Sequence, residues 1–340
     1  MPSTQEVLTP IEPTGDNAES LMIACASYED RSTAVCTRLH SGFRADRSII
    51  LSSKEYANKG KTRENWRTLS DVLCNVCNQS PHGIEFAIDQ PIKALIQVKN
   101  IIMRWNEEKT IDSITIDIST LPRQEMLILL QICDSLPWKP AIRLLYSEPA
   151  QYDTENENGW LTRGVKSVSP VIGFGGIQPP GKGKLLLMFL GHESERTAIT
   201  WKRHQPDITM LLSAYPSYRP ELDGIIEKTH SMLLTELSSC LPCVQVPSRG
   251  IDEVEELVLK IWKLTHDQYY MMIAPLGTKL QTLGIYRAAQ RKRDIQITYA
   301  VPSIYNYNRF STGIGRIWEI VWDKPLSESG GTKTGTVGCR

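Results

Sequence analysis

The chain has 340 residues, enough for two domains that each bury a core of their own. Its 38 basic and 38 acidic residues cancel, which excludes a bulk electrostatic pull toward nucleic acid or an anionic membrane surface. With 41% hydrophobic and 22% charged residues the composition is globular, and no apolar run nears the roughly 18 residues of a membrane span.

Residues 1–20 are polar and contain proline without the apolar core of a signal peptide, so a flexible N-terminus and a cytoplasmic protein are expected. The eight cysteines then read as reduced thiols. Residues 21–26 form a short apolar strand that ends in the polar loop Ser27-Tyr28-Glu29-Asp30-Arg31-Ser32, and a helix is expected through Val35 and Leu39. Strands follow at 48–51, 84–88, 114–118 and 142–146. Between them lie helices marked by Leu69, Val72, Leu73 and Val76, by Leu95, Val98, Ile102 and Trp105, and by the apolar stretch 126–136. Pro91 suits the start of the second of these. Residues 173–184 are rich in Gly and Pro and read as a linker. The rhythm then restarts, with strands at 185–190, 208–212, 243–246, 271–275 and 295–299. Helices between them carry Leu222, Ile225, Ile226, Leu233 and Leu237, then Val254, Leu257, Val258 and Ile261, then Leu280 and Leu283. Asp252 and Glu255 are spaced as a variant capping box.

Alternating strands and helices predict an α/β fold, mostly parallel sheets with helices on both faces, in two tandem Rossmann-like domains. The expected limits are 1–20 flexible, 21–172 first domain, 173–184 linker, 185–323 second domain and 324–340 flexible tail. The halves also correspond outside their apolar positions. Asp30-Arg31-Ser32 matches Glu195-Arg196-Thr197 at an offset of 165 (195 − 30). Leu121 matches Leu276 at 155 (276 − 121). Tyr146, Pro149 and Tyr152 match Tyr299, Pro302 and Tyr305 at 153 (299 − 146). Thr162-Arg163-Gly164 matches Ser311-Thr312-Gly313 at 149 (311 − 162). Offsets that shrink in small steps are what an internal duplication with short deletions leaves.

Ligands of open α/β sheets sit outside the carboxyl ends of the strands. The polar residues expected there are Glu29, Asp30 and Arg31, then Asp117, Ser119, Thr120, Arg123 and Gln124; in the second half they are His192, Glu193, Glu195 and Arg196, then Thr278, Lys279 and Gln281. Gly277-Thr278-Lys279 follows an apolar strand and opens a helix, so Gly, a helix N-terminus and a lysine can together take a phosphate. Arg31 and Arg196 can clamp phosphate or pair with neighbouring glutamates. Tyr305, Tyr307, Arg309 and Phe310, in the loop expected over 305–315, can stack bases. Asp30, Asp117 and Glu195 are candidates for metal binding or proton transfer, and His192 for a general base.

Other motifs carry less. Residues 176–183 imitate a P-loop but precede a strand and lack the Ser/Thr. Cys74/Cys77 and Cys240/Cys243 have zinc-like spacing, yet lie in different halves and read as buried thiols, so no metal site is assigned. Arg291-Lys292-Arg293 admits nucleic acid, but it ends a helix where cations suit the dipole.

Residues 273–279 are similar to the Gly-Thr-Lys loop of the CRISPR-associated Rossmann-fold (CARF) sensor domains. That resemblance implies a cyclic-oligonucleotide ligand over the strand ends, with Gly277, Thr278 and Lys279 as phosphate contacts, and a role in prokaryotic antiviral defence. No nuclease segment is seen after Trp322, so an effector would come from a partner protein. The expected function is a sensing or regulatory module for a phosphorylated ligand, a nucleotide or cyclic oligonucleotide. The alternatives are a metal-assisted hydrolase of nucleotides or nucleic acid, and a protein-interaction subunit; a homodimer is compatible with either.

Overall fold

The structure is a computed structural model and describes residues 4–7, 10–12, 19–155, 159–237 and 243–322. The first half comprises β1 (Thr4–Glu6), β2 (Glu19–Ala26), β3 (Ala45–Ser53), α1 (Thr62–Val76), β4 (His82–Phe86), α2 (Ile92–Glu108), β5 (Ser113–Asp117), α3 (Arg123–Asp134), β6 (Ala141–Tyr152) and β7 (Thr162–Gly175). The second comprises β8 (Gly183–Phe189), α4 (Ser194–His204), β9 (Ile208–Ala214), α5 (Ile225–Thr229), α6 (Ser231–Leu237), β10 (Val244–Val246), α7 (Ile251–Thr265), β11 (Tyr269–Pro275), α8 (Lys279–Arg291), β12 (Gln296–Tyr305) and β13 (Ser311–Trp322).

The predicted α/β class holds. One sheet runs β1-β13-β6-β5-β2-β3-β4 and the other β10-β9-β8-β11-β12-β7. Within each, five strands are parallel in the same relative order, with the first of the five in the chain (β2 or β8) central and the third (β4 or β10) outermost on one side. Strands covered on both faces read as continuous apolar runs, and all eight residues of β2 are buried. Its Leu21, Ile23 and Cys25 enter a core shared with Leu185, Leu187 and Phe189 of β8, while Met22, Ala24 and Ala26 enter a separate outer cluster. One core thus joins the two halves. Helices α3 and α8 meet in it, where the Tyr286 hydroxyl donates to Asp134 at 2.5 Å.

The halves also exchange their last strands. β7 pairs antiparallel with β12 of the second half, and β13 returns to pair antiparallel with β6 of the first. The expected boundary at 172 therefore falls inside a strand of the other sheet, and residues 311–315 lie in β13 rather than in a loop. The offsets read in the sequence recur in the register. Tyr146 faces Trp318 as Tyr299 faces Ser169, and Tyr152 faces Ser311 as Tyr305 faces Thr162. The correspondence of the halves is thus one of strand pairing, which a shared alternation of helices and strands does not impose.

Three local expectations fail for physical reasons. Thr4–Glu6, expected to be flexible, adds an edge strand to β13, because backbone groups there find partners. The helix expected through Val35 and Leu39 is two short 3-10 turns, 30–32 and 36–38, and Leu39 instead bridges to Ile11. Asp252 and Glu255 do not cap α7, whose N-cap is Gly250; they pair with Arg287, at 2.7 Å each, across the α7–α8 contact. Cys74 is exposed and Cys77 closes α1, so this pair is not fully buried; Cys240, like the tail 324–340, lies outside the described residues. Among the described residues no helix is long and apolar enough to cross a membrane.

Gly284 marks the closest approach of α7 and α8. A Cβ there would run into the Ile251 carbonyl oxygen and come within 2.8 Å of Val254 Cβ. Gly284→Ala is expected to cost about 1–3 kcal/mol, seen as a lower urea midpoint at unchanged slope. A midpoint equal to the parent's would refute this packing.

Candidate functional site

The carboxyl ends of strands from both sheets open on one cleft holding roughly 1510 Å³ of non-atom space, part of it open to solvent. Cys25, Ala26, Ser53, Phe86 and Thr120 reach it from the first half, and Leu190, Ala214, Leu276 and Gly277 from the second. Parallel strands all end on the same side, so two such sheets whose carboxyl ends meet gather their loops here.

Its walls are aromatic. Tyr28 lies 5.5 Å from Tyr56 and 6.0 Å from Phe310, Tyr56 is 5.8 Å from Tyr305, and Tyr152 packs against His192 and Tyr218 at 5.1 and 6.1 Å. Tyr307 packs on Tyr56 away from the lining. The pairs at the first and third positions of the repeat, Tyr146/Tyr299 and Tyr152/Tyr305, supply four of these rings. Tyr28, Tyr56 and Tyr218 sit in loops with no repeat signal, and only the fold brings them in.

Each half contributes a buried arginine that meets a glutamate, a backbone carbonyl and a tyrosine of the repeat. Arg31 donates to Glu29 through Nε at 2.9 Å and to the Ser147 carbonyl at 3.0 Å, with its guanidinium 6.0 Å from the Tyr146 ring. Arg196 donates to Glu193 at 3.3 Å and to the Ala300 carbonyl at 2.6 Å, 5.1 Å from the Tyr299 ring. Ser147 and Ala300 stand at the repeat's offset of 153 (300 − 147). Although burial opposes both charges, Glu29 and the tyrosines around Arg31 hold its pKa above the ordinary range, and Tyr299 and Glu193 do the same for Arg196. A third ion pair crosses the halves, Arg249 donating to both Glu148 oxygens at 2.8 and 2.9 Å.

The Gly277-Thr278-Lys279 loop lines the cleft, but its side-chain donors are already engaged. Thr278 caps α8 in a reciprocal box with Gln281, which takes two of the helix's N-terminal N–H groups. The Thr278 hydroxyl donates to the Ser248 carbonyl at 2.6 Å. Lys279 Nζ donates to the carbonyls of Ile118 and Ser119 at 2.8 and 2.5 Å, and burial, then Arg31, drive its pKa well below that of an ordinary lysine. The loop is thus a brace from the second half onto the end of β5.

Arg123 is held differently. It lines the cleft, donates to the Gly277 carbonyl, makes no ion pair among the described residues, and has a buried Nε–H without a partner. The charged lining therefore consists of paired groups apart from Arg123 and Lys279.

The four candidate proton-transfer or metal residues do not converge. Asp30 accepts from Lys61 at 2.5 Å and from the Gly313 N–H at 2.9 Å; Glu195 accepts from the Gly164 N–H at 2.9 Å. These are equivalent contacts, and Gly164 and Gly313 both have left-handed φ, +65° and +67°. The recurring acid anchors the exchanged strand at a glycine and faces away from the cleft. Asp117 lies behind the lining, its carboxylate accepting from the Ser119 N–H and hydroxyl at 2.9 and 2.5 Å, and burial raises its pKa to about 6. Of the four, His192 alone lines the cleft. Among the described residues no group of three or more His, Cys, Asp and Glu is placed to hold a metal ion. Of the proposed ligand contacts, Arg31, Arg196, Thr120, Arg123, Tyr305, Gly277, Thr278 and Lys279 line the cleft, whereas Arg309 is exposed outside it. In comparisons with known proteins, the chain matches no family model and no curated sequence matches it.

Proposed function

We propose that the chain is a ligand-sensing module whose cleft takes a small phosphorylated molecule with an aromatic ring, a nucleotide or an oligonucleotide of such units. The observation that carries this reading is Arg123, a cation without an ion pair, with an unmet N–H donor, in a cleft where other buried charges are compensated. An unmet buried donor costs free energy until an acceptor reaches it, and a guanidinium suits the planar fork of a phosphate. The tyrosine walls supply faces for a base. Because the remaining charges are ion-paired or, for Lys279, held by two carbonyls, the cleft favours one phosphate per base over a polyphosphate. In the antiviral-defence setting implied by the Gly277-Thr278-Lys279 resemblance, a partner protein would read the occupied state.

Calorimetry with AMP, ATP and a cyclic oligoadenylate tests this. Arg123→Met is expected to weaken binding of AMP or the cyclic oligoadenylate by about tenfold or more, the worth of a charge-assisted hydrogen bond. ATP is expected to bind no better than AMP. Equal affinity in parent and variant would sink the reading.

A further inference from the structure

The two halves of the cleft differ at a hydrogen bond to the arginine's carboxylate partner. In the first half the Ser311 hydroxyl, at the start of β13, donates to Glu29 Oε2 at 2.5 Å and completes the shell around Arg31. The equivalent of Ser311 at the start of the other exchanged strand is Thr162, at the offset of 149 (311 − 162). The equivalent of Glu29 as the arginine's partner is Glu193. Both Thr162 and Glu193 line the cleft. Thr162 is 7% exposed, and its Oγ1 has no hydrogen-bond partner; neither has Glu193 Oε1. What closes on itself in one half stands open in the other.

An unmet hydroxyl and an unmet carboxylate oxygen in one lining are met together by a group that both donates and accepts. An ether, a methyl or a carbonyl lacks the donor that Glu193 Oε1 needs. A hydroxyl meets both needs: its oxygen accepts from Thr162 Oγ1, and its proton goes to Glu193 Oε1. We infer that Thr162 and Glu193 form a subsite for a hydroxyl group of the ligand, of the sugar-hydroxyl class, and that only the second half has it. This rests on the reading of the cleft as a ligand site. It adds that the two halves take different ends of the ligand, the hydroxyl lying beside Arg196 and away from the closed Ser311–Glu29 contact.

Binding of AMP, 2′-deoxy-AMP and 3′-deoxy-AMP to the full chain tests this, in the parent and in Thr162→Val and Thr162→Ser. One of the two deoxy compounds is expected to bind the parent about tenfold more weakly than AMP. Thr162→Val should abolish that preference by weakening AMP alone, and Thr162→Ser should keep it. The melting temperature of Thr162→Val should be unchanged or higher, because the lost hydroxyl has no protein partner, whereas Ser311→Ala should melt lower. AMP binding with no preference between ribose and deoxyribose, or with the same preference in Thr162→Val, overturns the inference and leaves the ligand site standing. Failure of every probe to bind overturns the ligand site and the subsite with it.

Discussion

Glu125→Gln is expected to stabilise the protein by roughly 3 kcal/mol at pH 7 relative to its effect at pH 4, taking 1.36 kcal/mol per pKa unit. Glu125 lies in the first turn of α3, is 1% exposed, and neither carboxylate oxygen has a hydrogen-bond partner in another residue. Burial lifts its pKa to about 8; Glu55 pushes it further up and Lys279 pulls it down. Between the unfolded value near 4.5 and about 8, the folded chain keeps a proton that the unfolded chain releases. Stability therefore falls as pH rises through that window and changes no further above it. Gln keeps the shape and cannot ionise, so its advantage should grow across the same window. Asp117 carries a raised pKa of the same sign, but it is present in both proteins and cancels in the difference. Urea titrations at pH 4, 6 and 8 read the effect, and a parent–variant difference independent of pH would contradict it. The repeat points to the same place: the equivalent of Glu125 at offset 155 (280 − 125) is Leu280, buried and apolar.

Removing the carboxylate that faces each buried arginine should have unequal effects. Glu29 is 5% exposed, pairs with Arg31 through both oxygens and also accepts from Ser311. Glu29→Ala leaves a buried guanidinium with the Ser147 carbonyl as its remaining hydrogen-bond acceptor among the described residues, a loss of about 3–5 kcal/mol. Glu193 meets Arg196 at 3.3 Å only, and Arg196 keeps two hydrogen bonds to the Ala300 carbonyl, at 3.1 and 2.6 Å. Glu193→Ala should cost about 1 kcal/mol, nearer a single ordinary hydrogen bond. Chemical denaturation of both variants checks the order; equal losses would mean the two arginines are held alike.

Much of the architecture is legible in the sequence because it is local. Apolar runs bounded by turn residues mark buried strands, and Leu69, Leu73, Leu95, Val98 and Ile102 mark helix faces that the structure buries. Thr278 followed by Gln281 three residues later is a cap that local spacing announces. The strand exchange is not local. A strand's composition says that it is a strand, and nothing in β7 or β13 says which β6-like edge it will meet. The same limit explains the site. Arg31, Arg196, Arg123 and Lys279 stand out as polar groups at strand ends, and the structure brings them to one cleft. Whether each faces a ligand or a carbonyl depends on residues more than 100 positions away, as for Arg31 with Ser147, Arg196 with Ala300 and Lys279 with Ile118. Asp30 and Glu195 show the converse. Their recurrence is real, yet it reflects a glycine N–H on the exchanged strand and no chemistry in the cleft.

The crossing of β7 and β13 also decides what a protease could achieve. Scission within 176–182, the turn between β7 and β8, would cut the backbone at the midpoint. The N-terminal piece would still grip β12 through β7, and the C-terminal piece would still grip β6 through β13. Each fragment would keep a limb embedded in the other, so the nicked protein should elute from a sizing column as a single particle and separate only in denaturant.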